Sequence, residues 1–280
     1  MRRIPSWTST AVLMIMLPML FIYGCGRGSR YDDLPMDAAW AKIHNYYERG
    51  RYLDATEHLE IFLINYAGST LSDSAQYLLA ESHFEMDEYI ISASEYEKLI
   101  SQYPRSPLVE EGEYKLGLSF YELSPKYQKE QVYTDKAVEM FQLFIEDFPN
   151  SMLVSEAEER ILELRTKLAK KEFQAGRLYH RMGEYKAARL YYQSVLDNYY
   201  DSEFAEESQL LKADSWSDEK EWAEAQAAYQ GYLIRYPDSD RVDYINRQIE
   251  YVKKRHQEQL AKEAEGERGG VFRLFDPKDE

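Results

Sequence analysis

The sequence predicts an all-α solenoid of five helix pairs closed by a C-terminal capping helix. One phrase, clearest as "EYEKLISQYPRS" from Glu95 to Ser106 and "AAYQGYLIRYPDS" from Ala227 to Ser239, recurs five times along the 280 residues. Its large residues fall at helical spacing, and nothing alternates apolar and polar as a half-buried strand would. The 13 Gly and 9 Pro sit mainly between the periodic stretches.

In chain order, the first element is a leader. "MRRIPSWTST" carries two arginines, "AVLMIMLPMLFIY" is apolar but short for a membrane span, and Gly24 precedes Cys25, the single cysteine. Residues 1–24 therefore read as a signal peptide, and they resemble a bacterial lipoprotein signal, in which cleavage before Cys25 exposes its thiol for diacylglyceryl attachment. Tyr23 is a large occupant for a position where such signals carry small residues. Gly26 in place of Asp resembles the sorting pattern of lipoproteins sent to the outer membrane. With one cysteine there is no internal disulfide, so stacked helices must supply stability. "GRGSRYDDLP" then reads as a flexible tether, residues 25–35. The 256 residues left after the leader (280 − 24) are enough for one continuous solenoid core.

Residues 36–151 carry repeats one to three, and residues 152–239 a long linking helix with repeats four and five. Each phrase opens on an aromatic (Tyr52, Tyr89, Tyr185, Trp222; the copy from Thr134 lacks one). It places a large residue at offset seven (Leu59, Tyr96, Phe141, Tyr192, Tyr229) and an aromatic at offset fourteen (Tyr66, Tyr103, Phe148, Tyr199, Tyr236). These offsets lie on one helix face, which is the core face. Pro104, Pro149 and Pro237 end their helices by pushing the preceding residue out of the α region. Ser69, Ser106, Ser151, Ser202 and Ser239 are placed to accept hydrogen bonds from the first free N–H groups of the next helix, with Pro107 at a first helical position.

The preceding helix of each pair carries a small residue and a ring three places on: Ala80 and His83, Gly117 and Phe120, Gly176 and Tyr179, Ala213 and Trp216. The small residue lets two helix backbones approach. This arrangement resembles the tetratricopeptide repeat, a helix-turn-helix unit of about 34 residues. Phrase starts at 52, 89, 134, 185 and 222 leave two surpluses. A polar loop, Ser124 to Gln131, absorbs the first. Ser151 to Met182 lacks Pro and keeps helical periodicity, so one long helix or two barely broken ones absorb the second. Residues 240–263 read as a charged capping helix and residues 264–280 as a disordered tail, whose Phe272, Leu274 and Phe275 also fit a short docking motif.

Signal, tether, five repeats and long helix together resemble the BamD family of outer-membrane assembly lipoproteins. The most specific stretch is "ILELRTKLAKKEFQAGRLYHRMGEYKAARLYYQSVL", Ile161 to Leu196. The resemblance implies a noncatalytic subunit of the β-barrel assembly machinery, lipid-anchored on the periplasmic side of the outer membrane. It would bind the BamA barrel protein, other assembly subunits and unfolded outer-membrane proteins. Where that family often carries an arginine facing BamA, this chain has Tyr191, with Arg189 two residues earlier on a different helix face.

Tetratricopeptide first helices line a concave surface. Counting three back and four forward from each small residue, with Ile43 as its equivalent in repeat one, gives the pairs Trp40 and Tyr47, Tyr77 and Phe84, Tyr114 and Tyr121. All six are aromatic, and they are the candidate peptide-binding groove. Repeat four has Phe173 and His180 there, flanked by Lys170, Arg177 and Arg181, which with Arg189 form a candidate partner surface. Repeat five has Leu210 and Ser217 beside Asp214 and Asp218. Packing between repeats is the competing role for the rings, and a solvated helix face for the cations.

A formal charge of −16, or −18 once Arg2 and Arg3 leave with the leader (−16 − 2), argues against wrapping nucleic acid or an anionic membrane surface. The membrane is reached through the lipid anchor only. His44, His58, His83, His180 and His256 form no HExxH or other metal spacing, and no phosphate loop or Gly-x-Ser-x-Gly appears. No catalytic residue, metal or cofactor is expected. Two other envelope readings stay open: a Tol-Pal-associated adaptor of the YbgF/CpoB kind, which places a coiled coil before about three repeats, and a pilus-assembly lipoprotein.

Overall fold

A computed structural model describes residues 34–274, with side chains through residue 265. The leader, Cys25 and most of the tether lie outside the described residues. Those described form eleven helices and no strand. The five pairs are α1 (Met36–Glu48) with α2 (Tyr52–Asn65), α3 (Ser72–Glu85) with α4 (Tyr89–Gln102), α5 (Val109–Leu123) with α6 (Val132–Asp147), α7 (Val154–Arg181) with α8 (Tyr185–Asn198), and α9 (Ala205–Asp218) with α10 (Trp222–Arg235). Helix α11 (Val242–Leu274) follows and runs past the Glu263 boundary expected for the cap; no proline interrupts it before Pro277, and the Gly269–Gly270 pair does not end it.

The turns inside four pairs share one geometry. Gly50, Asp87, Gly183 and Lys220 all have φ between 60° and 80°, and each sits two residues before the aromatic that opens the next helix. The following N–H reaches back to the carbonyl of the ring residue: Glu88 to His83 at 2.9 Å, Glu184 to Tyr179 at 3.0 Å, Glu221 to Trp216 at 2.9 Å, and Arg51 to Tyr46 at 2.9 Å. This is the Schellman closure, which needs a left-handed residue at its centre. Repeat three replaces it with the Ser124–Gln131 loop. There the buried Gln131 amide donates to the carbonyls of Lys126 (3.0 Å) and Lys129 (2.8 Å).

Between pairs, the closing serines cap one turn earlier than the sequence suggested. Ser106 Oγ accepts from the Leu108 N–H (3.2 Å), Ser151 Oγ from Leu153 (3.2 Å) and Ser239 Oγ from Arg241 (3.1 Å), while Ser202 instead donates to the Tyr199 carbonyl (2.7 Å). The α-helices start three residues after each Ser, so Pro107 lies in the turn, ahead of Val109. Satisfying those N–H groups in a turn lets the chain reverse before the helix begins.

The stronger helix contacts run between consecutive helices, with α5 on α7 in addition. Gly117 and Gly176 make the close approaches: a Cβ on Gly117 would meet the Phe141 ring at 2.7 Å, and one on Gly176 the Tyr192 ring at 2.7 Å. Where a single continuous core was expected, the buried residues fall into four clusters. Each repeat touches only its neighbours, and buried polar pairs interrupt the apolar contacts, as where Gln76 donates to Glu95 Oε2 at 2.8 Å and Ser92 meets Ser119 at 3.3 Å. Helix α7 belongs to two clusters, giving Ala157 and Leu164 to one and Phe173 to the next.

Candidate protein-binding face

Packing dictates the polar groups on the face of the first helices. The offset-seven residues of repeats two, four and five are tyrosines with rings buried to 1% exposure or less, so their hydroxyls must find partners where the ring ends. Tyr96 donates to Glu81, Tyr229 donates to Asp214 (2.6 Å), and the Tyr192 hydroxyl lies 3.4 Å from His180 Nδ1. Glu81 and Asp214 each stand one residue after the small residue of their helix, a register signal present in the sequence that aromatic spacing alone does not pick out. Lys115 from α5 pairs with Glu81 at 3.0 Å. Burial, then Glu81, pushes the Tyr96 phenol far up; burial pushes the Asp214 carboxyl up while Tyr229 holds it down.

The six aromatics of the predicted groove divide. Tyr114 is 4% exposed and packs between Phe141 (5.7 Å between centroids) and Phe144 (5.6 Å), so it is core. Trp40 leans on Phe62 (5.5 Å) in the first cluster. Trp40, Tyr47, Tyr77, Phe84 and Tyr121 are all half-buried and keep one side open. Three of them rest edge-on against rings of the following helix: Tyr47 on Tyr52 (5.3 Å), Tyr77 on Tyr96 (6.0 Å) and Phe84 on Tyr89 (5.1 Å). Tyr121 donates to Glu163 (2.7 Å) and lies beneath the Arg160 guanidinium (4.7 Å). Burial first, then Glu81, raises the Tyr47 and Tyr77 phenols; Glu85 adds to the first, and Glu111, hydrogen-bonded to Tyr77, to the second. The stripe is therefore tyrosine laced with carboxylate.

The four predicted cations also divide. Lys170, Arg177 and Arg181 are exposed, and their spacing of seven and four puts them on one face of α7. Lys170 lies over the Tyr127 ring (5.2 Å) and Arg177 over Phe173 (5.8 Å). Arg189 is not part of that surface. It is 8% exposed, paired with Glu219 at 2.5 Å and stacked on Trp216 at 3.4 Å, because its helix face turns into repeat five. Tyr191 stacks on Tyr179 at 5.2 Å. His180 meets Asp218 at 2.8 Å, tying the basic repeat to the acidic one. Among the described residues no three His, Cys, Asp or Glu side chains converge as metal ligands.

Helix pairs stacked in one direction, with an open polar-aromatic face and an exposed basic ridge, define a helical-repeat scaffold of the tetratricopeptide class. The chain belongs to the YfiO family of outer membrane lipoproteins, the BamD family, whose profile matches residues 32–213; a tetratricopeptide repeat profile matches residues 207–239. No curated protein matches. Similar solved structures include the TPR2AB-domain:pHSP90 complex of yeast Sti1, at 15% identity and TM-score 0.39 over 86% of this chain and 95% of that one. A tetratricopeptide repeat protein from Parabacteroides merdae follows at 12% and 0.34 over 81% and 76%. A thermophilic TPR protein of Thermus thermophilus is at 18% and 0.33 over 78% and 98%.

Proposed function

We propose that this chain is a noncatalytic, lipid-anchored subunit of the β-barrel assembly machinery on the periplasmic side of the outer membrane. It binds a BamA-like barrel protein and receives unfolded outer-membrane proteins. Family membership supports the setting, and Tyr47, Tyr77, Phe84 and Tyr121 on the face of α1, α3 and α5 carry the substrate reading. Rings already propped by their neighbours offer contact area at little entropy cost. The exposed carboxylates beside them, Glu85 and Glu111, suit main-chain N–H groups and basic residues of an extended segment. Lys170, Arg177 and Arg181 supply a ridge for an acidic partner loop.

The test uses Tyr47→Ala with Phe84→Ala, both half-exposed and outside the fully buried core. Affinity for the ring-rich terminal peptide of an outer-membrane protein, read by fluorescence anisotropy, is expected to fall about tenfold, the order of losing two partial hot spots. Unchanged affinity with native helicity removes the groove. Recovery of the tagged chain from native envelopes, with Cys25→Ser as control, is expected to bring a BamA-like barrel protein in near-equal amount; Tol-Pal or pilus components in its place reassign the partner.

A further inference from the structure

We propose that the cleft between α4, α5 and α6 is a second binding site, which takes a lysine or arginine side chain from a partner polypeptide. The cleft measures about 210 Å³ and is lined by Ile100 of α4, Glu113 and Leu116 of α5, and Met140, Leu143 and Asp147 of α6. That is below the ~300–1,000 Å³ of small-molecule pockets and suits one long side chain. It opens on a different face of α5 from Tyr121, since Glu113 and Leu116 stand off the Tyr114–Tyr121 stripe.

Charge and shape select the occupant. Glu113 is half-buried in the cleft and Asp147 stands exposed at its rim. Among the described residues neither carboxylate has an ion-pair partner, and the α4 contribution to the lining, Ile100, carries no charge. Burial, with Asp147 second, pushes the Glu113 carboxyl up to about 6. A cation between the two acids screens their repulsion and offsets the cost of burying Glu113. Its methylene stem covers Ile100, Leu116, Met140 and the 44% exposed Leu143, while its head meets the carboxylates. A neutral apolar residue would leave the two acids crowded in a drier cleft. The choice of a polypeptide as source rests on the scaffold reading of the chain.

The experiment is methyl NMR of the mature chain titrated with the peptide Ac-Ser-Leu-Lys-Leu-Ser-NH2, its Gln counterpart, and n-hexylamine. Saturable shifts at the Leu116, Met140 and Leu143 methyls are expected, with the Lys peptide at least fivefold tighter than the Gln peptide and tighter than hexylamine. Glu113→Gln and the rim variant Asp147→Asn each weaken the Lys peptide at least fivefold, while Tyr47→Ala with Phe84→Ala leaves it unchanged, which separates this site from the groove. Equal binding of Lys and Gln peptides, hexylamine matching the Lys peptide, absence of saturable shifts, or unchanged binding by a natively helical Glu113→Gln variant each overturns the proposal.

Discussion

At the scale of single residues, burial decides what a side chain is available to do. Arg189 and Lys170 look alike in the sequence, but the first is spent on Glu219 and Trp216 and the second lies open on α7. Tyr114 and Tyr121 hold equivalent helical positions, and only the second reaches solvent. Glu113 gives a prediction at this scale. Its folded-state carboxyl is raised from 4.5 to about 6, so the native chain holds that proton more tightly than the unfolded one. This group therefore lowers stability as pH rises from ~4.5 through ~6, and its protonation below that window removes the penalty. Glu113→Gln, which mimics the protonated form, is expected to raise stability at pH 7.5 by about 0.5 kcal/mol after solvent screening. At pH 4.0 it should change little. Urea midpoints at both pH values check this, and an equal gain at both would assign the effect to packing instead.

At the scale of elements, the turn that reverses each helix pair is the repeated device. Gly50 and Gly183 take the left-handed conformation freely, whereas Asp87 and Lys220 hold it with a side chain. Asp87 has a local return, accepting from the Tyr89 hydroxyl at 2.7 Å. No comparable bond is seen at Lys220 among the described residues. Lys220→Gly is expected to stabilise the chain by about 0.5–1 kcal/mol, and Gly183→Ala, with nothing within 4 Å of the added Cβ, to destabilise it by about 1 kcal/mol through the backbone alone. Thermal unfolding of the two variants measures both; a stabilising Gly183→Ala would refute the shared-turn account. Helix α7 is the element that departs from the repeat. It is held at its middle by Arg165, which donates to the Asn198 carbonyl (2.8 Å) and Asp201 (3.0 Å), and by the Ser124–Gln131 loop through Lys167 on Ser124 (3.0 Å) and Lys171 on the Lys129 carbonyl (3.1 Å). Those contacts bind the first three repeats to the last two.

At the scale of the molecule, stability is a chain of neighbour contacts, so damage should stay local. Ile245, Ile249 and Val252 of α11 complete the last cluster with Trp222, Tyr229 and Tyr232, and beyond Val252 the described side chains of α11 are exposed or half-buried. A chain ending at Asp240 loses three buried aliphatic side chains, each of about 1.5–3 kcal/mol. Hydrogen exchange is expected to show α9 and α10 losing protection while α1 to α6 keep theirs. A chain ending at Glu263 should match the full protein. Uniform loss across all repeats in the first truncation would mean that the four clusters unfold as one.

The sequence by itself determined the number of helix pairs, their order, and the core face of each, because helical periodicity, Pro placement and the closing Ser act within one or two turns of chain. Gly117 and Gly176 mark by residue type alone where backbones must come close, since only a residue without a side chain leaves room for the facing ring. Family membership was legible for the same reason, since those local phrases are what its members share. What only the tertiary structure decided is how faces of different helices meet. Periodicity orients a side chain about its own helix axis and says nothing of the neighbour that covers it. So Tyr114 vanished into the core and Arg189 into a repeat joint. Glu81 entered the aromatic stripe because the buried Tyr96, 15 residues on in sequence, brings its hydroxyl to that face.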